Sequence, residues 1–299
     1  MQLSPWIQAA RPMAQANIAI PLGFGQALAF SLTGHFSLSV CAAVFVFGVF
    51  DQLYIVFAND VADYVSDKEN VFYNRFSGGS RVLVDGRLQP AELMRAAIAS
   101  AVLMMGVCAT LAFTVPSPWL LGLGGIALLL LWLYSFAPAR LAYRGHGEVL
   151  QGLGIGVVLP LFGYLAQGGR LGQFPVVVGF ASFLMGYAGN ITTALPDRPS
   201  DEKTAKRSYP VRRGERSARR ESLLLLATAV GILVATSPFS VTWRAGVGLP
   251  VGALLLWNLL AQDSDSANRK GCELFVLRSG AACSWAWVVG AMGFVSARF

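Results

Sequence analysis

Charge is the first thing this chain lacks. Of 299 residues only 13% are Asp, Glu, Lys or Arg, where a soluble globular domain carries about 25%. The 55% apolar content and a mean hydropathy of +0.56 exclude disorder, which needs low hydrophobicity, and argue against one compact soluble domain. A polytopic membrane protein remains. Histidine and cysteine are equally scarce. His35 and His146 are far apart and read as loop residues, so no His-based metal site is visible. Cys41, Cys108, Cys272 and Cys283 form no CxxC pair and read as small packing residues. No GxxxxGK[ST] phosphate loop exists. Glycine-rich runs such as Gly152-Leu-Gly-Ile-Gly156 read instead as seams for close helix packing in a membrane.

What is present is a series of apolar runs of helical length, at about 13–34, 38–58, 91–115, 118–137, 148–168, 174–195, 221–237, 240–261 and 274–297. Each is near the ~20 residues that cross a bilayer, and lipid admits helices because it offers the backbone no hydrogen-bond partner. Nine spans are therefore expected. The join between the third and fourth falls at Pro116 and Pro118, and the seventh is short. The segments on one side (the N-terminal stretch, 59–95, 138–147, 196–220 and 262–273) hold 19 of the 23 Lys and Arg, and the other side holds Arg170, Arg244 and Arg298. The positive-inside bias puts the N-terminus and the long loops in the cytoplasm and the C-terminus on the opposite side. No charged region followed by a cleavage site precedes the first span, which is expected to be retained. Charges collected at one side, apart from Asp51 and Arg278, argue against a transporter with charged, broken mid-membrane helices.

The acids are not scattered. Five of nine aspartates stand in two short segments, Asn59-Asp-Val-Ala-Asp63-Tyr-Val-Ser-Asp67 and Asp197-Arg-Pro-Ser-Asp201, each closing an apolar run on the basic side. Positions 59, 63 and 67 are spaced by four, so a helix puts them on one face over about 12 Å, with Asp60 about 100° away. Asp197 and Asp201 are again four apart, although Pro199 argues for a frayed or broken helix. Stacked carboxylates repel. Solvent, the nearby arginines or a cation must offset that, and oxygen donors without His or Cys suit Mg²⁺ completed by phosphate oxygens. Two acid clusters among basic loops therefore read either as a diphosphate site with bridging Mg²⁺ or as solvated helix ends. Asp51, eight residues before Asn59, falls roughly on the same face one or two turns deeper. It reads as a catalytic carboxylate that accepts the proton lost from an acceptor or contacts an acceptor hydroxyl, or as a packing acid bonded to a neighbouring Gln or Ser such as Gln52.

These segments resemble the signatures of the UbiA superfamily of intramembrane prenyltransferases. The pattern at 59–67 is similar to its first motif, NDxxDxxxD. Asp197 to Gly214 is similar to its second, with Lys206, Arg207, Ser208, Pro210, Val211, Arg212 and Gly214 matching and Ala205 standing where the family's turn has glycine. Tyr134 to Glu148, with Pro138, Arg140, Arg144 and Gly147, resembles a segment of the menaquinone-type, dihydroxynaphthoate prenyltransferase-like branch, and Arg11-Pro12 also fits. The loop Phe76-Ser-Gly-Gly-Ser-Arg81 resembles a variant in some UbiA-like proteins.

The resemblance implies an all-α bundle of about nine transmembrane helices, a single domain over 1–299, with motif loops at about 59–90 and 196–220 at the cytoplasmic end. It implies Mg²⁺-dependent transfer of a prenyl group from an allylic diphosphate to an aromatic or quinone-precursor acceptor, with no nucleic-acid partner. Two ions bridged by diphosphate are expected, one on Asn59, Asp63 and Asp67 and the other on Asp197 and Asp201. Asp60 would support the ligands or the loop arginines. Arg81, Arg140, Lys206 and Arg207 would contact the diphosphate, although basic residues at this end also serve as topological anchors. Tyr134 would face the allylic cation. The other reading is a UbiA-type terpene cyclase, with the same metal site and no acceptor.

Overall fold

The computed structural model describes residues 4–70, 73, 78–261 and 268–299. Every regular element among them is helical. Each expected apolar run coincides with a helix: α1 Ala16–Thr33, α2 Leu38–Ala62, α3 Pro90–Thr114, α4 Trp119–Ser135, α5 Gly147–Ala166, α6 Val176–Ala194, α7 Glu215–Thr236, α8 Val241–Leu260 and α9 Arg269–Ser296. Among the described residues, seven helices are long and apolar enough to cross a membrane, the first running from Pro5 to Thr33. α4 is shorter, and α7 differs from the expected run by beginning six residues earlier. Its first two turns, Glu215 to Glu221, are charged and lie at the polar end of the bundle. Exposed side chains such as Val102, Phe113, Val176 and Leu249 give the bundle an apolar outer surface, which suits lipid. The chain is an integral, multi-pass membrane protein.

Successive helices pack side by side, and α9 returns to α1. Inside this ring α1 lies against α5, at a distance only glycine permits. A Cβ on Gly25 would stand 1.9 Å from the Pro160 carbonyl oxygen, and one on Gly163 would stand 2.3 Å from that of Leu22. α5 meets α6 in the same way, because a Cβ on Gly156 would lie 2.3 Å from the Ser182 carbonyl oxygen. Gly25→Ala is therefore expected to destabilise the bundle on the order of 3 kcal/mol through overpacking. A thermal midpoint in detergent well below that of Gly106→Ala, where the space is open, is the result to look for.

The α2 ladder ends at Ala62, and Asp63 caps it with φ −94° and ψ 6°. A separate short helix, Tyr64–Glu69, follows. The single helical face expected over 59–67 is thus broken at Asp63, which changes where Asp67 points. After α6 the chain turns at Pro196, and Asp197 caps another short helix, Arg198–Lys203. Pro199 sits in its first turn, where a missing N–H costs nothing.

Candidate active site

Four loop and helix ends meet around a cavity of about 130 Å³. Its walls include Asn59 and Asp63 from α2, Asp197 and Asp201 from the segment after α6, Tyr134 from α4, and Lys206. The two acid segments, far apart in sequence, therefore share one polar chamber. Asp63 is its hub. Its Oδ1 accepts from the Tyr143 hydroxyl at 2.8 Å, and its Oδ2 accepts from Lys206 Nζ at 3.2 Å and Asn59 Nδ2 at 3.3 Å. Lys206 Nζ also stands 3.9 Å from Asp201 Oδ1. Asp197 Oδ1 accepts from Asn70 Nδ2 at 2.9 Å and from the Gly78 amide at 3.1 Å, which ties the loop after the first motif onto the second.

Local backbone explains why Lys206 arrives there. Ala205 adopts φ 54°, a left-handed conformation that favours glycine, and this turn aims Lys206 back at the acids. The Lys206 amide donates to the Asp201 carbonyl at 2.9 Å, and the Arg207 amide donates to the Tyr143 carbonyl at 3.0 Å. The second contact docks the lysine turn on the loop that carries Tyr143. That loop folds back on α4, with Leu141 and Ala142 amides donating to Leu133 and Tyr134 carbonyls.

Burial of so many like charges moves their protonation. Asp67 is pushed up to about 7 by burial and by Asp63, against the opposing pull of Arg11, Lys206 and Arg81. Burial raises Asp201 to about 6 despite Lys206. Asp197 is raised well above the usual carboxylate range by burial and then by Asp201. For Lys206, burial acts downward, but Asp63 and Asp201 outweigh it and hold the ammonium well above its ordinary value. Burial and Asp63 push the Tyr143 hydroxyl up to about 12.

Not every expected residue is brought together. Asp67 lies beside the cavity without lining it. Its side chain backs onto Gly79, which has φ +67° and where a Cβ would lie 2.1 Å from Asp67 Oδ2. Arg81 Nη1 donates to the Asp67 carbonyl at 2.6 Å, and its guanidinium stacks over Tyr73 at 4.2 Å, so it braces the loop. Arg140 stacks on the Tyr143 ring at 3.8 Å, and Arg207 is exposed; neither lines the cavity. Asp60 is buried and supports the loops, bonded to Arg11 and to the Ser80 hydroxyl and amide. Asp51 is buried in α2 with Oδ1 unpartnered among the described residues, and it stands apart from the cavity. In the Phe76–Arg81 loop, Phe76 and Ser77 lie outside the described residues.

Sequence reasoning missed an amide pair that also lines the chamber. Asn190 of α6 donates through Nδ2 to Gln151 Oε1 of α5 at 2.9 Å and to the Tyr134 hydroxyl at 3.2 Å. Glu148, buried and paired with Arg212, is another missed wall residue. Two polar side chains within apolar runs were the available signal.

Among the described residues no three His, Cys, Asp or Glu side chains converge closely enough to hold a metal ion by themselves. Mg²⁺ does not require that, since it usually binds one or two carboxylates and fills its shell with phosphate and water. The donors on the walls, Asn59, Asp63, Asp197 and Asp201, are oxygen donors of that kind. The Lys206 ammonium between Asp63 and Asp201 shows that the chamber already holds positive charge there. The donor set fits the ion.

An apolar helical bundle with an acid-rich polar chamber at one end defines an intramembrane enzyme of the prenyltransferase class. The chain belongs to the UbiA prenyltransferase family, whose sequence model matches residues 18–279. It is 22% identical over 255 residues to the 1,4-dihydroxy-2-naphthoate octaprenyltransferase of Bacillus subtilis (strain 168), spanning 84% of this chain and 75% of that one. In fold it resembles a UbiA homologue from Archaeoglobus fulgidus solved with DMAPP and Mg²⁺, with a TM-score of 0.69, 18% identity and 98% and 99% of the two chains covered. It also resembles a UbiA homologue from Aeropyrum pernix K1 solved without ligand, with a TM-score of 0.68, 17% identity and 94% and 97% covered.

Proposed function

We propose that this prenyltransferase ionises an allylic prenyl diphosphate in the described chamber, with Mg²⁺ on the two acid segments, and delivers the prenyl group to an aromatic or quinone-precursor acceptor. The observation that carries this reading is the meeting of Asn59 and Asp63 with Asp197 and Asp201 around Lys206 in one cavity. Asn59 and Asp63 are assigned to one ion, with Asp67 beside the cavity joining them by a turn of its side chain away from Gly79, and Asp197 and Asp201 are assigned to the other. Bound there, Mg²⁺ supplies Lewis-acid neutralisation of the departing diphosphate. Lys206 adds a fixed cation that needs no reorganisation as charge develops. Arg81 and Arg140 act through the loops they brace, while Arg207 is an exposed cation outside the cavity lining.

The Tyr134 ring, held at its hydroxyl by Asn190, offers a π face to the allylic cation. Asn190 and Gln151 supply the polar contacts for an oxygenated acceptor. The naphthoate acceptor named for the Bacillus subtilis relative supports an acceptor of fused-ring aromatic type. The 19-to-3 division of basic residues supports a cytoplasmic chamber. The test is incubation of detergent-solubilised protein with Mg²⁺ and allylic diphosphates of several lengths, with and without aromatic acceptors. Prenylated acceptor is the expected product. A cyclic hydrocarbon released without acceptor would reassign the chain to the cyclases.

A pH dependence follows from the raised carboxylates. Metal ligands must be deprotonated, and Asp67 and Asp201 lose their protons near 7 and 6. The Mg²⁺ concentration giving half-maximal rate is expected to fall as pH rises from about 5.5 to about 7.5. A constant requirement across that range would remove these acids from the metal site.

A further inference from the structure

One anion on the wall of the chamber stands outside the metal and diphosphate assignments. Glu148, in the first turn of α5, lines the cavity although the residue is only 3% exposed. Its Oε1 accepts from Arg212 Nη2. Arg212 belongs to the short helix Tyr209–Arg213 and stays outside the lining. Its Nε donates to the Arg207 carbonyl at 3.1 Å, and its guanidinium carbon lies 5.3 Å from the Tyr209 ring centre, so it is fixed in place. An anion suits the first turn of a helix, and Arg212 neutralises it from behind.

The second carboxylate oxygen, Oε2, is left over. No donor among the described residues reaches it, and a carboxylate oxygen buried without a partner is costly. With the rest of the residue buried, Oε2 is completed from the chamber side.

The chemistry of each occupant decides which one completes it. A diphosphate is itself an anion and is repelled by Glu148. Among the described residues no three His, Cys, Asp or Glu side chains converge, so Glu148 does not gather with Asp197 and Asp201 around one ion. The prenyl chain is apolar and has no donor. The acceptor remains. Water can complete Oε2 until an aromatic acceptor takes its space, and the acceptor must then donate in its place.

The neighbours of Glu148 agree with that role. A Cβ on Gly147 would stand 3.1 Å from Cε2 of the Tyr134 ring, so α5 begins against that ring. Tyr134 in turn lies within electrostatic reach of Lys206. Gln151, one turn beyond Glu148 on the same face of α5, is bonded to Asn190. Glu148 therefore adjoins both the ring assigned to the allylic cation and the amide pair assigned to the acceptor.

Given prenyl transfer in this chamber, we propose that Glu148 is an acceptor-binding residue. Its Oε2 accepts a hydrogen bond from a ring hydroxyl and so selects hydroxylated aromatics over their ethers. As the ring attacks the allylic carbon, positive charge spreads onto that hydroxyl, and the facing carboxylate stabilises it.

The test supplies detergent-solubilised full-length protein with Mg²⁺, geranyl diphosphate and either 1,4-dihydroxynaphthalene or its dimethyl ether, under anaerobic conditions. Both rings are electron-rich, but the ether has no hydroxyl to donate. Wild type is expected to prefer the dihydroxy compound by about 100-fold or more in kcat/KM. Glu148→Gln keeps the side-chain length and an oxygen for Arg212, and turns an amide donor toward the chamber. It is expected to cut that preference about 10- to 100-fold, while Mn²⁺ binding with a non-ionisable allylic diphosphate analogue stays near the wild-type level. An unchanged preference in the variant would overturn the assignment. Loss of Mn²⁺ binding in step with activity would also overturn it, because Glu148 would then be a support of the metal site. Prenylation of neither compound by wild type, with a cyclic hydrocarbon released instead, would overturn the transferase reading and this assignment with it.

Discussion

Asp63→Ala is expected to lower turnover by about 10³-fold or more, the loss seen when a group that stabilises developing charge is removed, with expression largely intact. Asp63 is the point where the two motifs meet, touching Tyr143, Asn59 and Lys206 at once. Its removal takes away a ligand and the partner that fixes Lys206. Expression survives because Lys206 retains Asp201 at 3.9 Å and the helices do not pack through Asp63. Asp63→Asn keeps the size and most hydrogen bonding while removing the charge. It should lose nearly as much activity, which separates charge from packing. Asp197→Ala is expected to behave the same way from the other side of the chamber. Near-normal activity in either alanine variant would break the site assignment.

Chelation with EDTA is expected to take activity to background, and added Mg²⁺ to restore it. The structure gives a reason for strict dependence. Of the four cations assigned to the diphosphate by sequence, Lys206 alone lines the chamber, while Arg81 and Arg140 are engaged with loop carbonyls and tyrosine rings. One ammonium already shared between two carboxylates does not neutralise a diphosphate. The smaller ion should restore more than Ca²⁺, whose longer bonds and higher coordination number suit a looser site. Turnover that persists after rigorous chelation would require another source of positive charge.

Much of this could be read in one dimension because membrane insertion and metal binding both leave periodic marks. Apolar runs of bilayer length follow from the thickness of lipid, and each finds its helix. Oxygen donors four apart at the ends of such runs marked Asn59, Asp63, Asp67, Asp197 and Asp201 as a group, and all of these but Asp67 line one cavity. Two things were not legible. A regular helix was assumed through 59–67, but Asp63 caps α2 and starts a new turn, and no local signal distinguishes a cap from a continuation there. The basic residues were counted by sequence neighbourhood, yet a guanidinium has several partners within reach, and tyrosine faces captured Arg81 and Arg140. The Asn190–Gln151–Tyr134 network depends on how closely α5 and α6 approach. Glycine makes that possible at Gly156 and Gly186, and only three dimensions show where it leads.

The central claim is that both acid segments hold one metal–diphosphate assembly. It is tested most directly by measuring Mn²⁺ binding by electron paramagnetic resonance with a non-ionisable allylic diphosphate analogue, in wild type, Asp63→Ala and Asp197→Ala. Analogue-dependent Mn²⁺ binding in wild type that falls in both variants is the predicted result. Undiminished binding in either variant would contradict it.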